Sequence, residues 1–321
     1  MTTTDVRADF PPYDLLDGWE LRAADKTHRL ERLYHQTQAR SWDPRAVLDE
    51  LEARHGGVHV PEDKREALGH VFAVILWGEL AAWNIAADLA RSLPDVDAKM
   101  AATGQVFDEA RHFTVLRDYF SRAKIPLPPL NPFGRRVLVR ILETPSVLEK
   151  LYGMQLLVEN LALAIFKRVA ASGIEPVLSD LLAYVERDES RHVALGVMYL
   201  PTLLARATRL ERAHNWMFNM ELFLLTVGGG ELLDPHFVAL GIDHRELGAT
   251  AQRLHEQVIK QMAEDSGLRP GQRLRGAYAL SRRQQRFMLD FLHPAGPMSP
   301  RHARAREVVN QATRTVASWM S

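Results

Sequence analysis

Residues 106–116 read VFDEARHFTVL, and residues 185–195 read VERDESRHVAL. Both stretches contain Asp-Glu-x-Arg-His, and each shared residue of the second copy follows its counterpart by 80 positions. Glu79 and Glu159 are also 80 positions apart, and each lies 30 residues before a Glu-x-x-His pair. The chain therefore contains a diverged internal repeat whose shared residues are carboxylates, arginines and histidines.

The repeat predicts a metal site. Glu and His three residues apart share one face of a helix, where they can bind one metal ion together. Two such pairs and two lone glutamates are the ligands that a carboxylate-bridged di-metal centre needs in a four-helix bundle. A single Glu-x-x-His usually lies on a solvated face, but its repetition with the same flanking residues favours the metal site. The predicted ligands are Glu79, Glu109, His112, Glu159, Glu189 and His192.

Two of these glutamates lie in strongly apolar stretches. Residues 68–90 read LGHVFAVILWGELAAWNIAADLA, and residues 155–166 read QLLVENLALAIF. A helix that is apolar almost all round is buried, and a lone ionised carboxylate inside it is costly unless something pairs with it. A metal ion would supply that pairing for Glu79 and Glu159.

With these motifs, residues 26–205 resemble the ferritin-like, ribonucleotide-reductase-like di-iron carboxylate superfamily. The Asp-Glu-x-Arg-His form is similar to that of bacterial multicomponent monooxygenases. The chain length and residues 29–44, RLERLYHQTQARSWDP, look more like the single-chain ligand-binding oxidases related to ribonucleotide reductase small subunits. The resemblance implies two irons: one bound by Glu79, Glu109 and His112, the other by Glu159, Glu189 and His192.

The resemblance also assigns roles within this set. Glu109 and Glu189 would bridge the irons and act in catalysis. Asp108 and Asp188 would hold the histidine rings, and Arg111 and Arg191 would neutralise those aspartates. A mixed Mn/Fe centre stays open as an alternative to two irons.

Departures from relatives narrow the chemistry that the resemblance implies. Leu116 stands where ribonucleotide reductase small subunits place a radical tyrosine. Ala81 and Met154 stand where ligand-binding oxidases form a Tyr–Val crosslink, and Val185 stands where arylamine N-oxygenases add a third histidine. Neither a stored tyrosyl radical nor that crosslink is expected here.

Composition excludes several classes of protein. The 321 residues contain 40 Lys+Arg and 40 Asp+Glu, so the chain has no excess positive charge that would favour nucleic acid as a partner. With no cysteine, disulfides, iron–sulfur clusters, Cys-bound zinc and a fused rubredoxin-type carrier are excluded. Residues 1–12 lack a signal-peptide pattern, and Glu79, Asn84 and Asp88 interrupt the long apolar stretch. We therefore expect a cytoplasmic protein that does not insert into a membrane.

The periodicity predicts helices throughout, and hence an all-α, ferritin-like four-helix bundle with added terminal helices. A tail at 1–25 precedes the bundle at 26–205, and a helical extension at 206–321 packs on it. The proline-rich stretch 125–132, IPLPPLNP, is the crossover between the helix pairs, and Gly228-Gly229-Gly230 is expected to be a flexible break. The predicted helices are 25–40, 44–54, 61–92, 95–124, 135–143, 146–171, 175–199, 209–227, 243–262, 272–291 and 301–320.

Helical spacing also suggests which residues surround a substrate. Gln105, Gln155, Trp83 and Gly196 each lie four positions from a predicted ligand. Most such residues are ordinary core, although Gly196 could leave space for a substrate. Near the C-terminus, residues 269–314 contain ten arginines, and only Asp290 and Glu307 oppose them from residue 269 onward. This stretch is either a solvated face or a dock for an anionic partner.

These observations predict a di-iron oxidoreductase that activates O2. Its substrate would be an apolar or carrier-bound organic molecule, which it would hydroxylate, desaturate or oxygenate at nitrogen or carbon. An external electron donor and a second copy of the chain are the other expected partners. The alternatives are a ferroxidase or iron store, an oxidase like the ribonucleotide reductase small subunit, and a non-catalytic interaction protein.

Overall fold

The computed structural model describes residues 25–265, 287, 290–294 and 296–320. Within these residues it contains helices and connecting segments but no strand, which confirms the predicted all-α class. The helices are α1 (Asp25–Ala39), α2 (Pro44–His55), α3 (Glu62–Ser92), α4 (Val96–Arg122), α5 (Pro132–Glu143), α6 (Val147–Leu151), a π-helical turn (Tyr152–Val158), α7 (Glu159–Ser172), α8 (Pro176–Arg206), α9 (Arg209–Ala239), α10 (His244–Asp265) and α11 (Pro300–Met320).

Helices α3, α4, α7 and α8 form the central bundle. α3 packs along α4, and α7 packs along α8. Large side chains from all four helices meet in one buried cluster, among them Phe72, Phe120, Phe166 and Leu181. Burying each such side chain contributes roughly 1.5–3 kcal/mol, so this core holds the two helix pairs together. Around the bundle, α1 crosses α4, α9 lies on α3 and α5, and α10 lies on α7 and α8.

Capping residues explain where several helices begin. Asp43 caps α2 and Asp95 caps α4, each accepting two backbone N–H bonds from the first turn. Glu175 caps α8, whose first residue is Pro176. A cap of this kind contributes about 1 kcal/mol. A proline is tolerated in the first turn because it lacks an N–H, and N–H groups in the first turn have no helical acceptor. These signals are local, so the predicted starts at 44, 95 and 175 agree with the structure within one residue, whereas the helix predicted from 135 begins at Pro132.

The crossover between the helix pairs is held tightly against α3. A Cβ placed on Gly69 of α3 would lie 2.5 Å from the carbonyl oxygen of Pro126. Glycine at this position lets the proline-rich segment approach the helix backbone. The crossover runs without helix until Pro132 begins α5.

Two predicted interruptions are wrong. The sequence predicts a helix end at residue 199, but α8 continues to Arg206 with Pro201 inside it. Pro201 removes one helical hydrogen bond, while the buried side chains of Tyr199 and Leu200 keep the helix against the core.

The predicted flexible break at Gly228-Gly229-Gly230 is also wrong, because all three glycines lie inside α9. A Cβ on Gly228 would lie 2.8 Å from Cε1 of Phe133. Gly228 and Gly229 therefore serve close packing of α9 on α5, which offsets their cost of about 1 kcal/mol each in a helix, while Gly230 faces His244 of α10.

Other predicted helices have mixed outcomes. The helix predicted at 209–227 extends to Ala239, while α10 and α11 correspond to the predictions at 243–262 and 301–320. The predicted tail lies outside the described residues except for residue 25, and the helix predicted at 272–291 lies outside them except for residues 287, 290 and 291. The domain boundaries remain a prediction.

By length and composition, α3 could cross a membrane, yet 61% of its most apolar window is buried inside the protein. The core helix of a bundle passes the same test. The apolar residues of α3 pack against α4, α9 and α5, which accounts for their composition.

Candidate metal centre

A polar layer separates two hydrophobic cores of the bundle. On α3, Leu76 belongs to one core and Ala81 to the other, and Glu79 lies between them. The same change from one core to the other occurs along α4, along α8 and between the π-helical turn and α7. All six predicted ligands lie in this layer, so apolar side chains enclose them from above and below.

The structure brings the six residues together into two overlapping groups. One ligand atom from each member of a group lies within 4.8 Å of those of the other members. Glu109 and Glu189 belong to both groups, as bridging carboxylates would. None of the six is more than 5% exposed. The groups are Glu79, Glu109, His112 and Glu189, and Glu109, Glu159, Glu189 and His192.

Both imidazoles face the carboxylates with Nδ1. His112 Nδ1 lies 3.0 Å from Glu189 Oε1 and 3.4 Å from Glu79 Oε2. In the other half, His192 Nδ1 lies 2.8 Å from Glu189 Oε2 and 3.1 Å from Glu109 Oε1. The two halves of the repeat therefore present matching donor sets across a pseudo-two-fold axis.

The far nitrogen of each imidazole faces an aspartate from the opposite half. His112 Nε2 lies 3.4 Å from Asp188 Oδ2, and His192 Nε2 lies 3.3 Å from Asp108 Oδ2. An Nε2–H bond to a carboxylate fixes the tautomer in which Nδ1 carries the lone pair. When the ring is neutral, this tautomer directs the Nδ1 lone pair of each histidine toward the glutamates.

Two buried arginines join these aspartates. Arg111 Nη2 lies 2.5 Å from Asp108 Oδ1 and 2.7 Å from Asp188 Oδ2. Arg191 Nη2 lies 2.8 Å from Asp108 Oδ2 and 2.9 Å from Asp188 Oδ1. The four residues form a closed ring of two cations and two anions, which avoids a buried net charge beside the centre.

Sequence reasoning missed two supports from outside the bundle. Trp42 donates its indole N–H to Asp188 Oδ2 over 2.7 Å, and its ring lies 4.7 Å from the Arg111 guanidinium. Thr37 of α1 donates to Asp108 Oδ2 over 3.5 Å. Because these contacts join residues up to 146 positions apart, only the packing of α1 and α2 could reveal them.

Protonation divides the glutamates into two kinds. Burial raises the pKa of Glu79 and of Glu159 well above the ordinary value. Burial would also raise the pKa of Glu109 and of Glu189, but the charge of His192 and the closeness of both histidines lower them. The pair shared by both groups therefore ionises more readily than Glu79 and Glu159 do.

The histidines complete this charge balance. Burial alone would lower the pKa of His112 and of His192, but the surrounding carboxylates raise both pKa values well above the usual range. Two imidazolium charges then balance the ionised Glu109 and Glu189. Two divalent ions could take over that role and also balance all four glutamates.

Several buried atoms of the cluster fit a metal. Glu79 Oε2, Glu109 Oε2, Glu189 Oε1 and His112 Nδ1 have no hydrogen-bond partner. Leaving a buried polar atom unsatisfied costs about 1–3 kcal/mol, and metal coordination would remove that cost. Carboxylate oxygens with one imidazole per ion suit iron or manganese. The donor set therefore fits the group that the sequence predicts.

A pair of glutamines lies against the cluster. Gln105 donates its amide to Glu109 Oε1 and Glu159 Oε1, each over 2.9 Å, and accepts from Gln155 over 2.8 Å. Gln155 lies in the π-helical turn just before Glu159. The extra residue of a π turn is a common device at functional sites, and here it precedes a predicted ligand.

The other two residues considered for the substrate wall do not form one. Trp83 is 37% exposed and belongs to the surface. A Cβ on Gly196 would lie 2.7 Å from Cβ of Gln155, so the Gln155 side chain already fills the space beside this glycine. Gly196 serves close packing of α8 and leaves no space for a substrate.

Comparisons with solved structures give the fold. An R2-like ligand-binding oxidase variant reconstituted with a Mn/Fe cofactor aligns at a TM-score of 0.59 and 18% identity, covering 74% of this chain and 94% of that chain. A second variant of that oxidase aligns at 0.54 and 18% identity, covering 79% and 98%. A Synechococcus protein described as having aldehyde deformylating oxidase activity aligns at 0.53 and 20% identity, covering 64% and 94%.

The chain has the ferritin-like fold. The similar structures are ferritin-like helical bundles, which confirms the predicted fold. No protein-family model matches the chain, and no curated protein matches it.

The ferritin-like bundle contains a cavity of about 310 Å³ beside the cluster. Glu79 and Glu159 line it, while apolar residues such as Val74, Leu138 and Ile165 form much of the wall. Side chains from α3, α7, α9 and α10 contribute to it. A mostly apolar cavity with a few polar groups is typical of sites for small organic ligands.

Proposed function

We propose that the chain is an O2-dependent di-metal oxidoreductase that oxidises an apolar organic substrate. The observation that carries this proposal is that Glu79 and Glu159 belong both to the carboxylate–histidine cluster and to the wall of the apolar cavity. A substrate in that cavity would lie directly beside the centre. Hydroxylation, desaturation and oxygenation at nitrogen or carbon all fit this arrangement.

The proposed ligands divide between two ions. Glu79 and His112 would hold one, Glu159 and His192 the other, and Glu109 and Glu189 would bridge them. Two iron ions, or one manganese and one iron, would supply the electrons that reduce O2. Asp108 and Asp188 would keep the Nε2 protons on the histidines, so that both Nδ1 atoms remain available.

The surrounding residues would protect this chemistry. The cores above and below the polar layer exclude water, and the Asp–Arg ring holds the histidines in a fixed orientation. Gln105 would orient Glu109 and Glu159 by donating to both. In the chain itself no cysteine is available as a redox carrier, so an external electron donor is part of the proposal.

Iron storage is the main alternative, and the cavity disfavours it. A store takes up ions through polar routes, whereas α9 and α10 here cover the bundle with largely apolar side chains that line the cavity. An oxidase like the ribonucleotide reductase small subunit is also disfavoured. Leu116 stands at the position of the radical tyrosine and has no phenol to carry a radical.

We also propose that a second copy of the chain covers exposed aromatic side chains of the bundle. Trp77 is 51% exposed, and Phe107 is 55% exposed. A contact with a second copy would remove both rings from water. Light scattering on the purified protein should give the mass of two chains, and a monomer would contradict this proposal.

A blocked cavity tests the proposed reaction. Gly78 lines the cavity, and a Cβ on it would have no atom within 4 Å. We expect Gly78→Phe to keep two metal ions per chain and to consume O2 once when reduced. Oxidation of added substrates should fall at least about 10-fold, because the new ring fills the space beside Glu79. Gly78→Ala is the matched control and should oxidise them as the unchanged chain does.

The assay needs a defined set of probes. Alkyl aldehydes, alkyl carboxylic acids and arylamines are suitable, each added to iron- or Mn/Fe-loaded protein with a chemical reductant, and products are read by mass spectrometry. Equal product from Gly78→Phe and Gly78→Ala would contradict a substrate site in this cavity. Uptake of many irons per chain without any organic product would favour the storage alternative.

A further inference from the structure

A second group of histidines and carboxylates lies outside the polar layer. It forms where α9 ends, α10 begins and residues 290–294 return to the bundle. One ligand atom from each of Asp234, His244 and His293 lies within 4.8 Å of the other two. Nothing in the proposed oxidation uses these residues, although they come from three separate parts of the chain.

Each histidine is paired with its own carboxylate. His244 Nδ1 lies 2.9 Å from Asp234 Oδ1, and His293 Nε2 lies 3.0 Å from Glu231 Oε1. The two imidazole rings stack, with centroids 3.9 Å apart and planes inclined by 27°. Two nitrogen and two oxygen donors are thus gathered in a small volume.

The backbone around the group permits this close approach. Glu231 and Asp234 are three residues apart and share one face of α9. A Cβ on Gly230 would lie 3.4 Å from His244 Nε2, so glycine makes room for the ring. Pro235 removes the N–H that would bond the Glu231 carbonyl and favours a bend of α9 at this point.

Solvent can reach the group, in contrast to the di-metal candidate. The side chains of His293, His244 and Asp234 are 10%, 15% and 26% exposed. The Asp234 carboxylate is ionised readily, because its hydrogen bond with His244 lowers its pKa. Arg306 Nη2 lies 3.9 Å from Asp234 Oδ2, which leaves Oδ1 directed at His244. An ion could therefore enter from outside and find a charged oxygen.

We propose that Asp234, His244 and His293 bind one divalent metal ion of the zinc class. Two imidazole nitrogens and one carboxylate oxygen are ligands that zinc accepts, with a fourth position left for water. Glu231 acts as the positioning residue that holds the His293 ring. Binding requires rotation of the imidazole side chains out of their stack, so that both nitrogens can point at one ion.

The bound ion would fasten residues 290–294 to the cavity wall. Glu231, His244 and His293 all line the same cavity that Glu79 and Glu159 line. A metal joining α9, α10 and residues 290–294 would hold that part of the wall in place. The site would thereby control how readily the cavity opens, separately from the chemistry at the polar layer.

Zinc titration of the iron-loaded, full-length protein tests this site. Iron occupies the polar-layer centre beforehand, so that added Zn²⁺ reports on other sites. We expect one Zn²⁺ per chain by elemental analysis and by competition with a chromophoric chelator. Co²⁺ in place of Zn²⁺ should give visible absorption of a four-coordinate site. Zn²⁺ should also slow hydrogen exchange of residues 290–294.

Single substitutions locate the ion. His244→Gln and Asp234→Asn should each weaken Zn²⁺ binding more than about 100-fold. Loss of a residue that only hydrogen-bonds to a ligand costs about 10–100-fold, and loss of the ligand itself should cost more. His236→Gln is the matched control. The His236 ring stacks on the His70 ring, with centroids 3.9 Å apart. In the described part of the chain, His236 belongs to no group of three or more side chains that could bind a metal ion.

The outcomes separate this inference from the proposed oxidation. Zn²⁺ binding that survives both substitutions, or that His236→Gln weakens as much, would overturn the site. Absence of any Zn²⁺ binding to the folded, iron-loaded chain would also overturn it and would leave two stacked His–carboxylate pairs as packing contacts. If His244→Gln does not fold, His293→Gln gives the same test. Zn²⁺ binding is read without any organic substrate, so its success or failure does not depend on whether the polar layer oxidises one.

Discussion

At the scale of single residues, the centre is built from exchanged partners. Asp188 lies on the same helix as His192 but faces His112, and Asp108 lies with His112 but faces His192. Each half of the repeat therefore depends on the other for the orientation of its imidazole. The repeat in the sequence predicts which residues take part. It does not predict the exchange, because the relative position of α4 and α8 depends on packing and not on local pattern.

This exchange predicts a crossed effect of substitution. Asp188→Asn keeps the shape of the side chain but removes the charge that holds His112 Nε2–H. We expect a 10–100-fold loss of affinity for the ion of His112 and Glu79, since that is the usual effect of losing such a partner. Asp108→Asn should weaken the ion of His192 instead.

Occupancies of the two ions, read from diffraction of crystals grown at limiting iron, check this prediction. The two variants serve as controls for each other, because they remove the same group from related positions. If the variant instead loses the ion bound by the histidine on the same helix as the substituted aspartate, the exchange of partners does not govern binding.

At the scale of helices, the sequence predicts most starts and fewer ends. Starts are marked by local caps such as Asp43 and Asp95. Pro201 and the glycines of α9 are ordinary stop signals, yet buried neighbours such as Phe133 and Leu200 keep both helices continuous. The π-helical turn before Glu159 also has no local signal, because it depends on how α7 is positioned by its neighbours.

Two glycines of α3 give a matched prediction. Gly78→Ala should stabilise the metal-free protein by about 0.5–1 kcal/mol, because alanine favours the helix and its Cβ meets no atom within 4 Å. Gly69→Ala should destabilise it by about 1–3 kcal/mol, because the Cβ would lie 2.5 Å from the Pro126 carbonyl oxygen.

Denaturant unfolding of both variants measures these free energies. The helix is the same in each case, so helix propensity alone predicts stabilisation by both substitutions. A stabilised Gly69→Ala variant would mean that the crossover does not pack against α3 as closely as described.

At the scale of the whole molecule, charge balance links metal binding to pH. In the metal-free bundle the pKa of His112 and of His192 is raised, which favours the protonated form of both rings. The raised pKa values of Glu79 and Glu159 likewise favour the protonated form of those carboxyls. Metal ions must displace these protons to bind.

We therefore expect metal binding to release protons and the apparent affinity to rise with pH. The sign follows because groups with raised pKa values hold their protons more firmly, and each must lose one before it can ligate. Calorimetric titration of Mn²⁺ in two buffers of different ionisation enthalpy measures the released protons. Equal heats in both buffers would show that the metal does not compete with protons for these residues.

The metal centre is the central claim, and anomalous diffraction from crystals of the iron-loaded protein tests it most directly. Two iron peaks per chain are expected in the polar layer, one beside Glu79 and His112 and the other beside Glu159 and His192. Glu109 and Glu189 should contact both. A single peak, or iron bound only outside this layer, would contradict the assignment of these six residues as the ligands of a di-metal centre.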